Sequence, residues 1–308
     1  MLLSLVVPCY NEQEALPHFY EEAVKAVSCL PEFSYEILFI DDGSRDKTLE
    51  VIKQLADKDD NVKFLSFSRN FGKEAALYAG LSHVTGDYIA IMDADLQDPP
   101  SLLPEMIGYI IEEDYDCVAA KRSNRKGEPA ARSLLAKMFY KLFNKVSDTE
   151  IVDGARDFRV MRRDVADAIL RMPEYNRFTK GIYGWVGFKT KWITYEYVKR
   201  VAGQSKWSVW KLFLYSLEGI VAFSTVPLAI ASFSGLFLFF ISIIAIIIVV
   251  LRTLIWGDPV AGWPAMICVI LFVGGIQLFC FGIMGQYVAK AYMETKNRPL
   301  YLLKEKNI

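Results

Sequence analysis

The residues best able to do chemistry in this chain are acidic and come close together. Asp93-Ala94-Asp95 sets two carboxylates one residue apart, and Gln97 follows two positions later. In an extended segment alternate side chains point the same way. Asp93 and Asp95 could therefore grip one hard cation, directly or through water, with Gln97 as a further oxygen. Mg²⁺ or Mn²⁺ takes oxygen ligands and keeps positions open for phosphates. Such a metal neutralises a diphosphate as it departs. Alone, an Asp-x-Asp step is a common acidic turn, so its weight depends on where the fold puts it. A second group is basic: Lys121, Arg122, Arg125, Lys126 and Arg132 surround one acid, Glu128. Arginine forks suit phosphate geometry, although a solvated surface loop is the plain alternative.

These groups need a frame, and the first two thirds of the chain supply one. Residues 2–7, 36–40, 62–67, 88–92 and 117–120 are short apolar runs that read as strands. Residues 14–27, 47–58, 73–83 and 99–113 read as the helices between them, the last opened by prolines. Continuous apolar strands alternating with helices predict an α/β domain, its parallel sheet covered on both faces. Ligands of such sheets bind beyond the carboxyl ends of the strands. Four polar motifs fall there: Pro8-Cys9-Tyr10-Asn11-Glu12, Asp41-Asp42-Gly43-Ser44, Asp93 to Asp98, and Lys121-Arg122. Four polar strand ends on one edge make a site, where one acidic turn would not.

The last third has another character. Hydrophobic residues make up 53% of the 308, and the mean hydropathy is +0.22, too apolar for an ordinary soluble domain. The excess is concentrated: residues 219–251 and 262–288 carry no charge. A membrane helix needs about 20 apolar residues, so both runs are long enough, and the short connection makes them a hairpin. Spans are expected at about 226–251 and 263–287 within a segment 223–289. Lys199, Arg200, Lys206 and Lys211 precede the pair, and Lys290, Lys296, Arg298, Lys304 and Lys306 follow it. The positive-inside rule puts both termini and the domain 1–205 in the cytoplasm, with 290–308 as a basic cytoplasmic tail. Trp207, Trp210, Leu214 and Leu217 recur at helical spacing among lysines, which suits a helix at 206–222 lying in the headgroup layer. Residues 2–7 have no basic segment before them, so they read as a strand and not as a signal peptide.

Several classes are excluded. The net charge of −1 gives no basic field for nucleic acid. No G-x-G-x-x-G follows the first strand and no GxxxxGK[ST] occurs, so neither a dinucleotide oxidoreductase nor a P-loop NTPase is supported. The five cysteines form no CxxC pair and read as reduced packing residues, and two histidines cannot build a His-rich metal site.

The motifs in order, PCYNE (8–12), DDGS (41–44), RNFGKEAAL (69–77), DADLQDPP (93–100), KRSNRKGEP (121–129), GARDFRVMRR (154–163) and AGQSKWSVWKL (202–212), resemble family 2 glycosyltransferases. The similarity is to the polyprenyl-phosphate branch, which includes bactoprenol (undecaprenyl-phosphate) glucosyltransferases and dolichol-phosphate mannose synthase, and it runs almost the full length. It implies a GT-A, Rossmann-like, mostly parallel sheet with a C-terminal interfacial helix and a two-helix transmembrane hairpin. It implies that Pro8, Tyr10, Glu12, Asp41 or Asp42, Lys73, Asp93 and Ala94 line the nucleotide-sugar, with Asp93, Asp95 and Gln97 on the metal. Arg122, Arg125, Arg132, Arg200, Ser205 and Lys206 would meet the donor diphosphate or the acceptor phosphate. Asp95, Asp157 and Arg122 would carry catalysis. Asp157 is expected to orient the acceptor phosphate or help bind metal, with a general base as the alternative. A lipid phosphate has a second pKa of about 6 and needs little help to lose its proton at pH 7.

The activity implied is inverting transfer of one hexose to undecaprenyl phosphate at the cytoplasmic face of a bacterial inner membrane. UDP-glucose is the first choice of donor, with UDP-galactose, UDP-N-acetylhexosamine and GDP-mannose open. A homo-oligomer is implied, with a tetramer as the candidate. The competing readings are mannosyl transfer, a processive polysaccharide synthase, and a membrane subunit that binds nucleotide-sugar without turnover. Gln204-Ser205-Lys206-Trp207 has the wrong spacing for the Q-x-x-R-W motif of processive synthases and lacks its arginine.

Overall fold

A computed structural model describes residues 1–122, 130–147, 149–196, 219–256 and 262–308. Eight strands form one sheet: β1 (Leu2–Cys9), β2 (Ser34–Asp41), β3 (Val62–Phe67), β4 (Tyr88–Ile91), β5 (Cys117–Arg122), β6 (Ala155–Arg162), β7 (Thr190–Tyr195) and β8 (Leu303–Lys306). Their order is β7-β5-β6-β4-β1-β2-β3-β8. The first four strands are mutually parallel, and β7 runs parallel to β5.

The sheet is mostly parallel, as expected, with two strands reversed. β6 runs antiparallel to both β4 and β5, and β8 runs antiparallel to β3. The chain leaves β5 at the carboxyl edge and enters β6 from that same edge, so β6 runs backwards. Its first residues, rather than its last, therefore lie at the edge where the other strands end.

Helices cover both faces, as alternation along the strands requires. Leu3, Leu5 and Val7 of β1 point into one core with Phe19 of α1 (Leu16–Ser28), Ile52 of α2 (Thr48–Ala56) and Met106 of α4 (Leu103–Glu112). Val6 points the other way, toward Leu77 of α3 (Lys73–His83), Ile169 of α6 (Arg163–Leu170) and Ile182 of α7 (Thr179–Trp185). Burying each such large side chain contributes roughly 1.5–3 kcal/mol, which makes the sheet edge a rigid platform.

Two more helices follow, α8 (Val226–Trp256) and α9 (Trp263–Thr295). They are 31 and 33 residues long, longer at their ends than the spans read from the sequence. Val226–Ala245 and Phe272–Thr295 have hydropathies of 2.4 and 1.4 and are long and apolar enough to cross a membrane. The pair is antiparallel: Tyr287 Oη donates to the Ser224 carbonyl at 2.6 Å, and Cys280 Sγ approaches the Ala231 carbonyl at 3.6 Å. Phe233, Phe237, Leu254 and Leu278 are 71%, 66%, 78% and 74% exposed, an apolar surface that fits lipid rather than water.

Three attachments join this pair to the sheet domain. Phe143 of α5 (Ala130–Val146) packs with Phe178, Ile220 and Phe223 just ahead of α8. Glu294 near the end of α9 accepts from the backbone N–H of Tyr175 and Asn176 at 2.9 and 3.3 Å. The residues after α9, expected as a plain basic tail, return to the sheet as β8. There Tyr301 stacks on Phe67 with centroids 5.0 Å apart, and Lys53 pairs with Glu305. The interfacial helix expected at 206–222 falls outside the described residues up to residue 218.

Candidate active site

The carboxyl end of β1 and the end of β2 are laced into one wall. Asn11 N donates to Ser44 Oγ at 2.9 Å, Arg45 N to Asn11 Oδ1 at 2.9 Å, and Glu12 N to Thr48 Oγ1 at 2.8 Å. Gly43 has φ +63°, and a Cβ there would lie 2.4 Å from the Arg69 backbone carbon. Only glycine lets the Asp41–Ser44 turn sit this close to the loop before α3. Both oxygens of Asp41 are engaged, by Ser44 N at 3.0 Å and Ser66 Oγ at 2.8 Å. Asp42 takes Phe71 N at 2.6 Å and Gly72 N at 3.0 Å. Both carboxylates are buried. The two acids, expected on a nucleoside through the resemblance, here hold together the loops at this edge.

β4 ends in the acidic motif, and β6 brings its partners. Lys73 Nζ lies 2.6 Å from Asp93 Oδ1 and 2.5 Å from Asp157 Oδ2. Arg156 Nη2 is 3.8 Å from Asp93 Oδ2. Arg156 and Asp157 are neighbours on a strand, so they leave opposite faces of the sheet. Asp93 at the sheet edge is therefore approached by Arg156 from one face and by Lys73 with Asp157 from the other. Asp95 is buried, and its Oδ1 accepts from Gln97 N at 3.1 Å. Between them Leu96 has φ 55°, a left-handed conformation costing a leucine about 1–2 kcal/mol. The motif is held in a turn that leucine does not favour, and strain of this kind collects at functional sites.

The charges are set by these neighbours. Burial works against the Lys73 ammonium, but Asp157 and then Asp93 outweigh it and hold its pKa well above the lysine range. Burial alone would raise Asp157, yet Lys73, then Lys180 and Arg156, hold it well below the usual carboxylate range. Arg156 stays charged against burial because Asp98 and Asp93 face it. Asp42 goes the other way: burial, more than the backbone donors offset, lifts it to about 6. Burial followed by the charges of Asp41, Glu12 and Asp93 pushes the Cys9 thiol up, in keeping with a packing role.

Of the residues singled out in the sequence, Lys73, Asp93, Asp95, Gln97, Arg122 and Asp157 come together. Pro8, Tyr10, Glu12, Asp41 and Asp42 belong to the adjoining wall, and Ala94 is buried between the two aspartates. Gln97 Oε1 accepts from Arg122 Nη2 at 2.8 Å and faces Arg156 Nη2 at 3.5 Å, so its oxygen is turned toward two guanidinium groups. Arg125, Arg200, Ser205 and Lys206, and the side chain of Arg132, lie outside what is described. Sequence reasoning missed Arg156, Asp98 and Tyr195. Arg156 and Asp98 stood inside quoted motifs, whereas nothing local marks Tyr195. Among the described residues, no group of three or more His, Cys, Asp or Glu side chains could hold a metal.

An acidic turn beside the wall built by the ends of β1 and β2, at the carboxyl edge of a mostly parallel sheet, is the arrangement of a GT-A glycosyltransferase. Residues 4–170 match Glycosyl transferase family 2, and the chain belongs to that family. The bactoprenol glucosyl transferase of Shigella phage SfX is 45% identical over 306 residues, 99% of this chain and 100% of that one. The prophage bactoprenol glucosyl transferase homolog of Escherichia coli (strain K12) is 46% identical over 304 residues, 99% of each chain. The mannosyltransferase PcManGT of Pyrobaculum calidifontis, solved with GDP-Man and Mn²⁺, overlays on 93% of this chain and 86% of its own at TM-score 0.47 and 14% identity, too distant a likeness to speak to ligand or chemistry.

Proposed function

We propose that this enzyme transfers glucose from UDP-glucose to undecaprenyl phosphate, with inversion, releasing UDP. The observation that carries the reading is the meeting of Asp93, Lys73, Asp157 and Arg156 at one sheet edge, in a chain that continues into two membrane-length helices. The relatives named bactoprenol glucosyl transferase supply the sugar and the lipid.

The acceptor phosphate is mostly a dianion at pH 7. One of its oxygens attacks the anomeric carbon from the face opposite the diphosphate. The bond from that carbon to the diphosphate oxygen breaks, its electron pair leaves with UDP, and no proton has to move. Asp157, held ionised by Lys73, orients the acceptor side. Pro8, Tyr10 and Glu12 line the nucleoside, and Asp41 and Asp42 shape that wall through the backbone.

Asp93 and Asp95 would hold Mg²⁺ or Mn²⁺. Two carboxylates without a third suit such an ion, which is commonly bound by one or two carboxylates plus substrate phosphates. The metal supplies charge neutralisation on the departing diphosphate. Gln97, with its oxygen on Arg122 and Arg156, serves by aligning those arginines. Arg122, Arg125, Arg132, Arg200, Ser205 and Lys206 meet the diphosphate and the acceptor phosphate.

Residues 1–205 form the cytoplasmic catalytic domain, 206–222 lie on the membrane surface, and both termini face the cytoplasm. Tethering at the surface raises the effective concentration of a lipid headgroup.

The test is a panel of radiolabelled nucleotide-sugars offered with undecaprenyl phosphate, Mn²⁺ and the full-length protein. Label from UDP-glucose entering the organic phase as one sugar per lipid is expected. Label that stays aqueous for every donor, or enters an extractable polymer, overturns the reading.

A further inference from the structure

We propose that Arg156 is a catalytic residue that meets the departing diphosphate, aimed by Asp98 and Tyr195 as positioning residues. The proposal rests on the glycosyl-transfer reading above. It starts from a carboxylate in the wrong place. Asp98 is 0% exposed, and a buried carboxylate is costly unless paired and hydrogen-bonded. Its described partners are Arg156 Nε, at 3.0 and 3.3 Å from its two oxygens, and the Tyr195 hydroxyl. Burial, and then Asp98, raise the Tyr195 phenol well above its ordinary range, so it stays a donor.

The guanidinium is held unevenly. Its Nε edge is locked on Asp98 at salt-bridge distance. Its Nη2 lies 3.5 Å from Gln97 Oε1 and 3.8 Å from Asp93 Oδ2, both longer than the roughly 2.7–2.9 Å of a made charge-assisted bond. Other arginines of this fold show what a purely structural role looks like. Arg162, at the far end of β6, gives Nε to the Tyr115 carbonyl at 3.2 Å, and Nη2 to the Ile110 carbonyl and Asp114 at 3.0 and 2.9 Å. Arg163 gives Nε to the Gly86 carbonyl at 3.0 Å and Nη2 to the carbonyls of Val84 and Gly86 at 3.0 and 2.8 Å. Arg156 alone among these three has an Nη2 whose contacts to described residues are all 3.5 Å or longer. That nitrogen faces the acidic motif.

The chemistry needs a donor at this place. When the anomeric carbon–oxygen bond breaks, the electron pair settles on the diphosphate, and donors already aimed at that charge cost no reorganisation. A guanidinium with one edge fixed by a buried carboxylate is aimed in advance. Tyr195 also stands beside Arg122 in register on the neighbouring strand, so the Asp98 anchor sits beside both arginines that Gln97 joins.

Removing Arg156 alone strands a buried carboxylate and can unfold the protein, so the deciding variant removes both charges. Full-length wild type, Arg156→Gln, Arg156→Lys, Tyr195→Phe and the double variant Asp98→Asn/Arg156→Gln are compared by melting temperature, kcat and KM for each substrate, and affinity for UDP with Mn²⁺. The double variant is expected to melt like wild type while kcat stays down about a hundredfold or more, as loss of one aimed donor predicts. Its KM for undecaprenyl phosphate should hold, and its UDP affinity should fall about tenfold or more. Arg156→Lys should recover part of kcat, and Tyr195→Phe should lose about fivefold. A double variant with wild-type kcat and UDP affinity overturns the assignment and leaves Arg156 structural. A wild type inert toward every donor overturns the glycosyl-transfer reading instead, and UDP affinity then still decides the case of Arg156.

Discussion

Replacing Asp157 with Asn separates two roles by magnitude. The change removes one negative charge and keeps the shape. Asp157 Oδ2 accepts from Lys73 Nζ at 2.5 Å, with the side chains 17% and 40% exposed. A hydrogen bond to a charged group is worth about 1.5–3 kcal/mol, and the exposed lysine moves this toward about 1–2 kcal/mol. An orienting role therefore predicts a rate about 5 to 30 times slower. Loss of a general base costs about 100- to 10,000-fold. The local charges already disfavour a base, since Lys73, Lys180 and Arg156 hold Asp157 well below the usual carboxylate range against its burial. Such a group takes up a proton poorly at neutral pH. The pH dependence should instead follow the acceptor phosphate, rising to a plateau above about pH 6. Asp157→Asn should lower that curve by a constant factor without changing its shape. The assay is transfer of label from UDP-glucose into the organic phase between about pH 5.5 and pH 9, at saturating lipid. A loss beyond about a thousandfold that shrinks as pH rises would refute the orienting role.

Other perturbations test other parts. If Asp95 holds the metal as proposed, Asp95→Ala should cut transfer at least about a hundredfold, while circular dichroism and membrane fractionation stay as in wild type; an unaffected rate removes Asp95 from the metal. Asp42→Asn reports on stability. The Asp42 carboxyl is lifted to about 6 in the folded protein, so the folded state binds its proton more tightly than the unfolded chain. Its contribution is full at low pH and is lost as pH rises through about 6, by about 3 kcal/mol at most. Between about pH 4 and pH 7 the melting temperature of wild type should therefore fall relative to that of Asp42→Asn; parallel curves contradict this. Deleting residues 299–308 removes β8, strips the Tyr301 ring from Phe67 and bares the edge of β3. Light scattering should then show association, with a lower melting temperature, and a monodisperse, unchanged protein counts against a structural role for the tail.

Much of the frame was legible because its signals are local. β3 and α3 run over 62–67 and 73–83 as their apolar patterns predict, and β1, β2, β4 and β5 differ only at their ends. Asp93-Ala94-Asp95 could be found because two carboxylates after a buried strand are a pattern within one segment. The apolar runs behind α8 and α9 are likewise a property of composition and length. What the sequence could not decide is which distant residues meet. β6 runs backwards because the chain leaves β5 and re-enters the sheet at the same edge, and that direction brings Arg156 and Asp157 to the ligand edge. Lys73 could be read as a solvated lysine at a helix start until α3 packed against the sheet and put its ammonium between Asp93 and Asp157. The resemblance implied that Asp41 or Asp42 meets the nucleoside, and only the packed loops show their oxygens engaged by backbone and hydroxyl donors. The sequence by itself determined the first five strands, the helices between them, the two long apolar helices and the acidic turn, since each is set by neighbours a few residues away, whereas β6, β7 and β8 went unread. The tertiary structure decided how the site is charged, because a buried carboxylate such as Asp98 must find its counter-ion across the sheet, from Arg156 fifty-eight residues away.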